Sequence, residues 1–198
     1  MSEKELEERV LITKKQFLEL QKYIQEQYPD FVITEQKNRY LDDDKFSIHN
    51  KKNMLRIRSF PHSNTRELTY KVGGKDGDIE YSQVLTYYLF TQITRFSRLP
   101  NGEVKEQLLK DGINIKTLHT LTELRTRRTE VKLNEYTIVL DANLYNDISD
   151  YNLEIESKVS KIHAKKVILD FCEQFGLQYK NDYPTKIRRV MESLFKSI

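Results

Sequence analysis

Hydrophobic and polar side chains alternate along several segments of the chain, most clearly at residues 55–58 and 153–156. Alternation predicts β-strands, because successive side chains of a strand point to opposite faces of the sheet. About eight strands are predicted, at residues 3–12, 31–41, 53–60, 67–72, 79–85, 118–133, 136–144 and 151–159. Short connections join most neighbouring strands, which favours antiparallel pairing.

Apolar residues recur at helical spacing in other segments, as at Phe17, Leu20 and Ile24 behind a capping Thr13. Further helices are predicted at residues 85–93, 103–110, 161–175 and 184–195. Ser160 and Gly176 have the residue types that begin and end a helix at 161–175. We therefore expect an α+β fold in which eight antiparallel strands close into a barrel with a charged interior, and the helices pack outside.

Several predicted strands carry two like charges separated by one residue. The pairs are Glu5 and Glu7, Arg56 and Arg58, Arg125 and Arg127, and Glu154 and Glu156. Each pair points to one surface, which could be a solvated face of the kind that antiparallel sheets often have. However, the pairs segregate by sign, and helices can cover the apolar positions between them. We therefore expect the charges to line a hydrated lumen.

The charges that we expect inside this lumen comprise both signs. The cations are Arg9, Arg56, Arg58, Lys71, Arg125, Arg127, Lys186 and Arg189, and the anions are Glu5, Glu7, Glu80, Asp141, Glu154 and Glu156. Carboxylates bind hard divalent cations, and arginine and lysine bind phosphate. A terminal phosphate carries about −1.5 to −2 charges near neutral pH, so a triphosphate with divalent cations would nearly balance the set.

Composition narrows the class of protein. The 198 residues suit one domain, and we expect a single domain over 1–198. The 33 basic and 30 acidic residues are interleaved, so neither a nucleic-acid tail nor a polybasic membrane patch is expected. Cys172 is the sole cysteine, which excludes an internal disulfide, and the scattered histidines argue against a zinc site. Without a signal peptide or a long apolar run, a cytoplasmic protein is expected.

Several segments, taken in order, resemble the CYTH superfamily, whose members are also called triphosphate tunnel metalloenzymes. Residues 5–9, Glu-Leu-Glu-Glu-Arg, resemble the N-terminal Glu-x-Glu-x-Lys signature of the family. The other similar segments are residues 38–42, 55–58, 68–71, 124–127, 139–141, 153–156 and 185–189. The length and layout are most similar to small bacterial members from Gram-positive organisms.

The resemblance implies an eight-stranded antiparallel tunnel that binds triphosphates with Mg²⁺ or Mn²⁺. Members hydrolyse inorganic triphosphate, thiamine triphosphate or RNA 5′-triphosphates, and one class cyclises ATP to cyclic AMP. By this similarity, the metal ligands are Glu5, Glu7, Asp141, Glu154 and Glu156. The phosphate ligands are Arg9, Arg56, Arg58, Lys71, Arg125, Arg127, Lys186 and Arg189. Catalytic roles fall to Glu5, Glu7, Arg9 and Lys71.

Two positions leave alternatives open. Arg9 replaces the family lysine, and an arginine holds phosphate but stays protonated, so turnover would suffer if this position exchanged a proton. Arg128 would replace Arg127 in the lumen if a bulge shifted the register.

A metal-dependent hydrolase of a small triphosphate is the leading prediction. The alternatives are an adenylate cyclase, for which no adenine-binding residues can be named, and a non-catalytic module that binds polyphosphate or nucleotides.

Overall fold

In this computed structural model, the alternating segments form β-strands and the segments with helical periodicity form α-helices. The structure describes residues 2–61, 63–74 and 78–196, with the side chains of 6–61, 63–74 and 78–194. The strands are β1 (Ser2–Glu5), β2 (Glu7–Ile12), β3 (Val32–Asp42), β4 (Met54–Ser59), β5 (Arg66–Val72), β6 (Asp78–Val84), β7 (His119–Lys132), β8 (Tyr136–Tyr145) and β9 (Ile148–Ser157). The helices are α1 (Lys14–Gln27), α2 (Ser47–Asn50), α3 (Tyr87–Phe96), α4 (Glu103–Lys110), α5 (Lys161–Phe175) and α6 (Lys186–Lys196).

The α+β class that the sequence predicts is confirmed, and each predicted strand has a counterpart. The first strand is interrupted at Leu6, so the nine described strands correspond to eight extended segments. Helix α2 was not predicted, because four residues are too few to show a helical period. Asp42 and Asp43 stabilise its start, where Asp42 accepts the N–H groups of Ile48 and His49 at 2.9 and 2.8 Å.

The described chain forms two compact units. The first comprises residues 2–4 and 36–124, with the strand order β1-β6-β5-β4-β3. The second comprises residues 5–35 and 125–196, with the order β7-β8-β9-β2. Every strand pair whose register is described is antiparallel. The strands at the two ends of the order, β1 and β2, are not paired with each other, so the sheet is not closed. A single domain over 1–198 stays a prediction.

The core of the first unit lies on one face of its strands, under helices α3 and α4. Its buried apolar residues are Leu41, Ile48, Leu55, Ile57, Leu68, Tyr70, Leu85, Ile93, Leu99, Val104, Leu108, Ile113 and Leu118. Leu55 and Ile57 flank Arg56 on β4, so the arginine points to the opposite face. The apolar contacts therefore fix the side on which the charges of β4 lie.

The core of the second unit joins helices α1 and α5 to the apolar face of its strands. Its buried strand residues are Val10, Ile12, Val131, Ile138, Leu140, Leu153 and Ile155. On β9, Leu153 and Ile155 are wholly buried, and burial of such a side chain stabilises a fold by about 1.5–3 kcal/mol. Glu154 and Glu156 therefore lie on the other face.

The predicted caps position these helices. Thr13 and Gln16 form a capping box at the start of α1, and the Ser160 hydroxyl accepts the His163 N–H at 3.0 Å at the start of α5. Gly176 ends α5 with φ of 61°, a conformation that glycine adopts without a Cβ clash. Cys172 is buried in this core. None of the helices in the described chain combines the length and apolar character needed to span a membrane.

Candidate metal and phosphate site

Three carboxylates meet on the polar face of the second unit. Glu7 on β2 lies opposite Glu156 on β9 in the strand register, and Arg9 lies opposite Glu154. Oxygen atoms of Glu7, Glu154 and Glu156 all lie within 4.8 Å of one another. Such a set fits Mg²⁺ or Mn²⁺, which bind carboxylate oxygens and retain several waters. The structure thus brings together three of the predicted metal ligands.

The other two predicted metal ligands have different outcomes. The side chain of Glu5 lies outside the described residues, so its role stays a prediction. Asp141 on β8 is described, but it is not part of the three-carboxylate cluster. Arg128 donates to both of its oxygens, at 3.0 and 2.9 Å, and Lys186 Nζ lies 2.8 Å from Oδ2. Basic side chains therefore occupy both carboxylate oxygens of Asp141.

These basic partners keep the buried acids ionised. Burial raises the pKa of a carboxyl, but Arg128 and Lys186 outweigh it and lower the pKa of Asp141 below its ordinary value. The side chain of Glu154 is 4% exposed, and this burial raises its pKa. The nearby charges of Lys186, Arg9 and Arg128 outweigh that effect, so the pKa of Glu154 also lies well below its ordinary value. Ionised carboxylates are the form that binds metal ions.

Arg9 lies inside the carboxylate cluster. Its guanidinium contacts Glu7 Oε1 and lies 3.6 Å from Glu154 Oε1. A pocket of about 170 Å³ is lined by Glu7 and Arg9 together with Glu8, Lys161, Lys180, Asn181 and Tyr183. The position that departs from the family signature is thus in contact with two candidate metal ligands and is reachable from this pocket.

The arginines of β7 correct one part of the sequence analysis. In the register of β7 with β8, Arg128 lies opposite Asp141, whereas Arg127 lies opposite Ala142 and Arg125 opposite Leu144. Both Arg125 and Arg127 are exposed. The prediction that these two residues share the face of the acidic cluster is therefore wrong, and Arg128 takes that place.

Strand parity is the physical reason for this correction. Val131 is buried in the apolar core, so residues 125, 127 and 129 point to the same side as Val131. Arg128 has the opposite parity and reaches Asp141. Leu124, which is 1% exposed, has the same parity as Arg128, so the apolar residues of β7 indicate both phases, and the register with β8 decides that Arg128 faces the acids.

Helix α6 brings two predicted cations to the same polar face. Lys186 Nζ lies 2.7 Å from Glu154 Oε2 in addition to its contact with Asp141. Arg189 forms a two-point ion pair with Asp150, at 2.7 and 3.0 Å. Both positions were identified from the sequence, whereas Asp150, the acidic partner of Arg189, was not.

A second set of charges lies on the polar face of the first unit. Arg56 and Arg58 on β4 point away from the core, and Arg56 Nη2 donates to Glu80 Oε1 at 3.1 Å. Lys71 lies opposite Glu80 in the register and 3.3 Å from Asp78 Oδ2. The structure thus brings Arg56, Lys71 and Glu80 together, as expected. Whether these cations share a lumen with the carboxylates of the second unit stays a prediction.

Sequence reasoning missed the neutral polar residues between the charges. Asn38 accepts a hydrogen bond from Arg58 Nε at 3.1 Å, while Thr126, Asn143 and Asn152 form a hydrogen-bonded row in the second unit. Asn152 is wholly buried between Asp150 and Glu154 along β9. Its position, two residues from each of these acids along the strand, indicated that its side chain lies on the same face as theirs.

Comparison with known proteins identifies the family of this chain. The chain belongs to the CYTH family, because the CYTH domain matches residues 3–186. The resemblance seen in the sequence is therefore confirmed. A Bacillus subtilis (strain 168) protein named "Putative triphosphatase YjbK" is 31% identical over 194 residues, which cover 98% of this chain and 97% of that protein.

Solved structures show the same fold. A protein from Bacillus halodurans described as a "putative adenylate cyclase" superposes with a TM-score of 0.85 and 27% identity, covering 95% of this chain and 97% of its own. A Hippeastrum protein, HpAC1, described as a "putative adenylyl cyclase" with a dominant triphosphatase activity, has a TM-score of 0.80 and 17% identity over 97% of this chain and 96% of its own. At 17% identity, the second likeness shows the fold alone.

Proposed function

We propose that this protein hydrolyses a small triphosphate, inorganic triphosphate or thiamine triphosphate, at its terminal phosphate with the help of Mg²⁺ or Mn²⁺. The cluster of Glu7, Glu154 and Glu156 beside Arg9, in a chain of the CYTH family, is the observation that carries the proposal. The triphosphatase name of the relative at 31% identity supports it.

The carboxylate cluster would hold the divalent cation. Glu7, Glu154 and Glu156 supply oxygen ligands, and we include Glu5 from the sequence pattern. When bound, the cation supplies positive charge that offsets the charge on phosphate oxygens. Glu7 and Glu156 are partly exposed, which leaves oxygen atoms within reach of a ligand, whereas Asp141 is wholly buried and lies outside the cluster.

Arginine and lysine side chains would bind the phosphate oxygens. Arg56 supports this role most directly, because its Nε is buried and has no hydrogen-bond partner in the described chain. A buried donor without a partner is unfavourable, and a phosphate oxygen would satisfy it. We assign phosphate binding to Arg56, Arg58, Lys71 and Arg9. Arg128 takes the place of Arg125 and Arg127 beside the acids, but its pairing with Asp141 gives it no phosphate role.

The described strand order is open, and we propose that the strands close into the tunnel that the sequence predicts. The end strands of the order, β1 and β2, are separated in sequence by Leu6 alone. Charge stabilisation would then come from several pre-positioned donors around the phosphate chain, which contributes strongly to phosphoryl transfer.

A product assay tests the activity. The purified protein is incubated with inorganic triphosphate, thiamine triphosphate or ATP, with Mg²⁺ or Mn²⁺, and phosphate, pyrophosphate and cyclic AMP are measured. We expect phosphate release from one of the first two substrates, and only with a divalent cation. Cyclic AMP from ATP would instead support a cyclase, and tight triphosphate binding without any product would support a binding module.

Substitution of the carboxylates tests the site. Glu7→Gln or Glu156→Gln should lower kcat/KM by about a hundredfold or more, because each removes a charged ligand from the proposed metal site. Glu26→Gln, on the exposed surface of α1, is the matched control and should keep the wild-type rate. Unchanged rates for both cluster variants would overturn the metal assignment.

A further inference from the structure

The guanidinium of Arg189 is already occupied by protein groups. Its side chain is 7% exposed, and its Nε and Nη2 donate to the two oxygens of Asp150 at 2.7 and 3.0 Å. Nη2 also donates to Asn152 Oδ1 at 3.2 Å, and Nη1 donates to the Pro184 carbonyl at 3.0 Å. An arginine side chain carries five N–H groups, and these contacts use most of them.

Arg56 makes a useful comparison, because the sequence predicts phosphate binding for both arginines. Arg56 retains a buried Nε without a hydrogen-bond partner, whereas the Nε of Arg189 is bonded to Asp150. A phosphate could bind Arg189 through its paired edge only by displacing the partly buried carboxylate of Asp150, which would then lack its partner. Arg56 Nε can donate to a phosphate oxygen without such a loss.

Asp150 is fixed by further contacts. The Tyr145 hydroxyl donates to Asp150 Oδ2 at 2.6 Å, and Asn143 Nδ2 donates to Oδ1 at 2.9 Å. In the same β8–β9 hairpin, Asn146 Nδ2 donates to the Ser193 hydroxyl of α6 at 2.9 Å. The hairpin thus holds helix α6 at two points along its length.

Lys186 lies one helical turn before Arg189 on the same face of α6. Its Nζ lies between Glu154 Oε2 and Asp141 Oδ2, at 2.7 and 2.8 Å. The Arg189 N–H donates to the Thr185 carbonyl at 3.0 Å, so the backbone between the two positions is helical. A flexible lysine side chain has no preferred fork geometry, and its position therefore depends on where the helix is held.

We propose that Arg189 is a positioning residue: paired with Asp150, it holds helix α6 so that Lys186 stays between Asp141 and Glu154. Arg189 does not bind phosphate in this arrangement. The inference rests on the proposed function in one respect, that Glu154 belongs to the metal site. Lys186 then competes for Glu154 with the divalent cation and tunes how tightly the carboxylate cluster binds it.

Binding of Mn²⁺ to the full chain without substrate, measured by calorimetry, tests this inference. Lys186→Met removes a positive charge beside Glu154 and should raise Mn²⁺ affinity by about tenfold. Arg189→Met should change the affinity in the same direction. In the Lys186→Met background, Arg189→Met should add less than about a twofold change, because it acts through Lys186.

Inorganic triphosphate is the second probe. In the Lys186→Met background, Arg189→Met should change the dissociation constant for inorganic triphosphate by less than about twofold. Loss of a direct phosphate ligand would weaken triphosphate binding by about tenfold or more. Arg188→Met is the matched control, because Arg188 is exposed on the same helix and pairs with Glu192 at 2.8 Å. Additive effects on Mn²⁺ affinity, or weakened triphosphate binding in the double variant, would overturn the inference.

Two further variants test the inference if Arg189→Met does not fold. If Arg189→Met fails to give a cooperative thermal transition, Arg189→Lys and Asp150→Asn replace it, and the same coupling to Lys186 is expected. Hydrolysis by the wild-type protein is measured in parallel. Additive effects with intact hydrolysis overturn only the role of Arg189, whereas coupled effects without hydrolysis overturn only the proposed function.

Discussion

Arg127 and Arg128 are neighbours on β7, yet Arg127 is exposed while Arg128 is bonded to the wholly buried Asp141. The difference follows from strand parity, because one residue along a strand changes the face to which a side chain points. A charge in the sequence therefore has a defined partner only when the register of its strand with the neighbouring strand, here β8, is known.

Substitution of these two arginines separates their roles. Arg128→Met removes two charge-assisted hydrogen bonds from the buried Asp141, which keeps Lys186 as a basic partner, and should lower the free energy of unfolding by about 1.5–3 kcal/mol. Arg127→Met, the matched control at an exposed site, should change it by less than about 0.5 kcal/mol. Urea denaturation measures both values. Equal losses would contradict the assignment of Arg128 to the buried face.

Strand β9 connects the core and the site of the second unit. Leu153 and Ile155 pack against helices, while Glu154 and Glu156 belong to the carboxylate cluster. The same alternation thus builds a hydrophobic contact and a candidate metal site. The sequence predicts this strand well, because the alternation is regular and continues through the whole site.

A core substitution tests the contribution of β9. Ile155→Ala should lower the free energy of unfolding by about 2–5 kcal/mol, because it leaves a cavity in a wholly buried position. Ile162→Ala on α5 is the matched control, since Ile162 is 83% exposed. Thermal or urea denaturation provides the measurement, and similar changes for both variants would show that Ile155 does not anchor this core.

The helices could be predicted from the sequence where capping residues mark their ends. Ser160 and Gly176 identify α5, since capping depends on contacts within a few residues of sequence. Helix α2 shows the opposite case, because it depends on Asp42 and Asp43 at the end of a strand. The predicted helix at 184–195 agrees with α6, but nothing local indicated that Asp150 holds it.

At the scale of the whole molecule, the buried acids make stability depend on pH. The pKa values of Asp141, Asp150 and Glu154 all lie below the ordinary 3.8 for aspartate and 4.5 for glutamate, because basic partners outweigh burial. At these three carboxyls, the folded chain therefore binds fewer protons than the unfolded chain between the ordinary and the lowered pKa values. The stabilisation is present above the ordinary values and is lost as pH falls through the lowered ones.

Asp150→Asn should reduce this dependence on pH. Between pH values just above 4.5 and well below 3.8, the variant should lose less unfolding free energy than the wild type, because one of the lowered pKa values is gone. Asp170→Asn, at an exposed position of α5, is the matched control and should follow the wild type. Urea unfolding at several pH values measures the slopes, and an unchanged slope in Asp150→Asn would contradict the prediction.

The sequence by itself determined the α+β class, the family and the strands that carry paired charges, because alternation and caps depend on local spacing. It also identified Glu7, Glu154 and Glu156, whose spacing places them on single faces. Only the tertiary structure decided that Arg128, not Arg127, reaches the acids, and that Arg189 is paired with Asp150. Those outcomes depend on strand register and helix packing, which join residues distant in the chain and leave no local pattern.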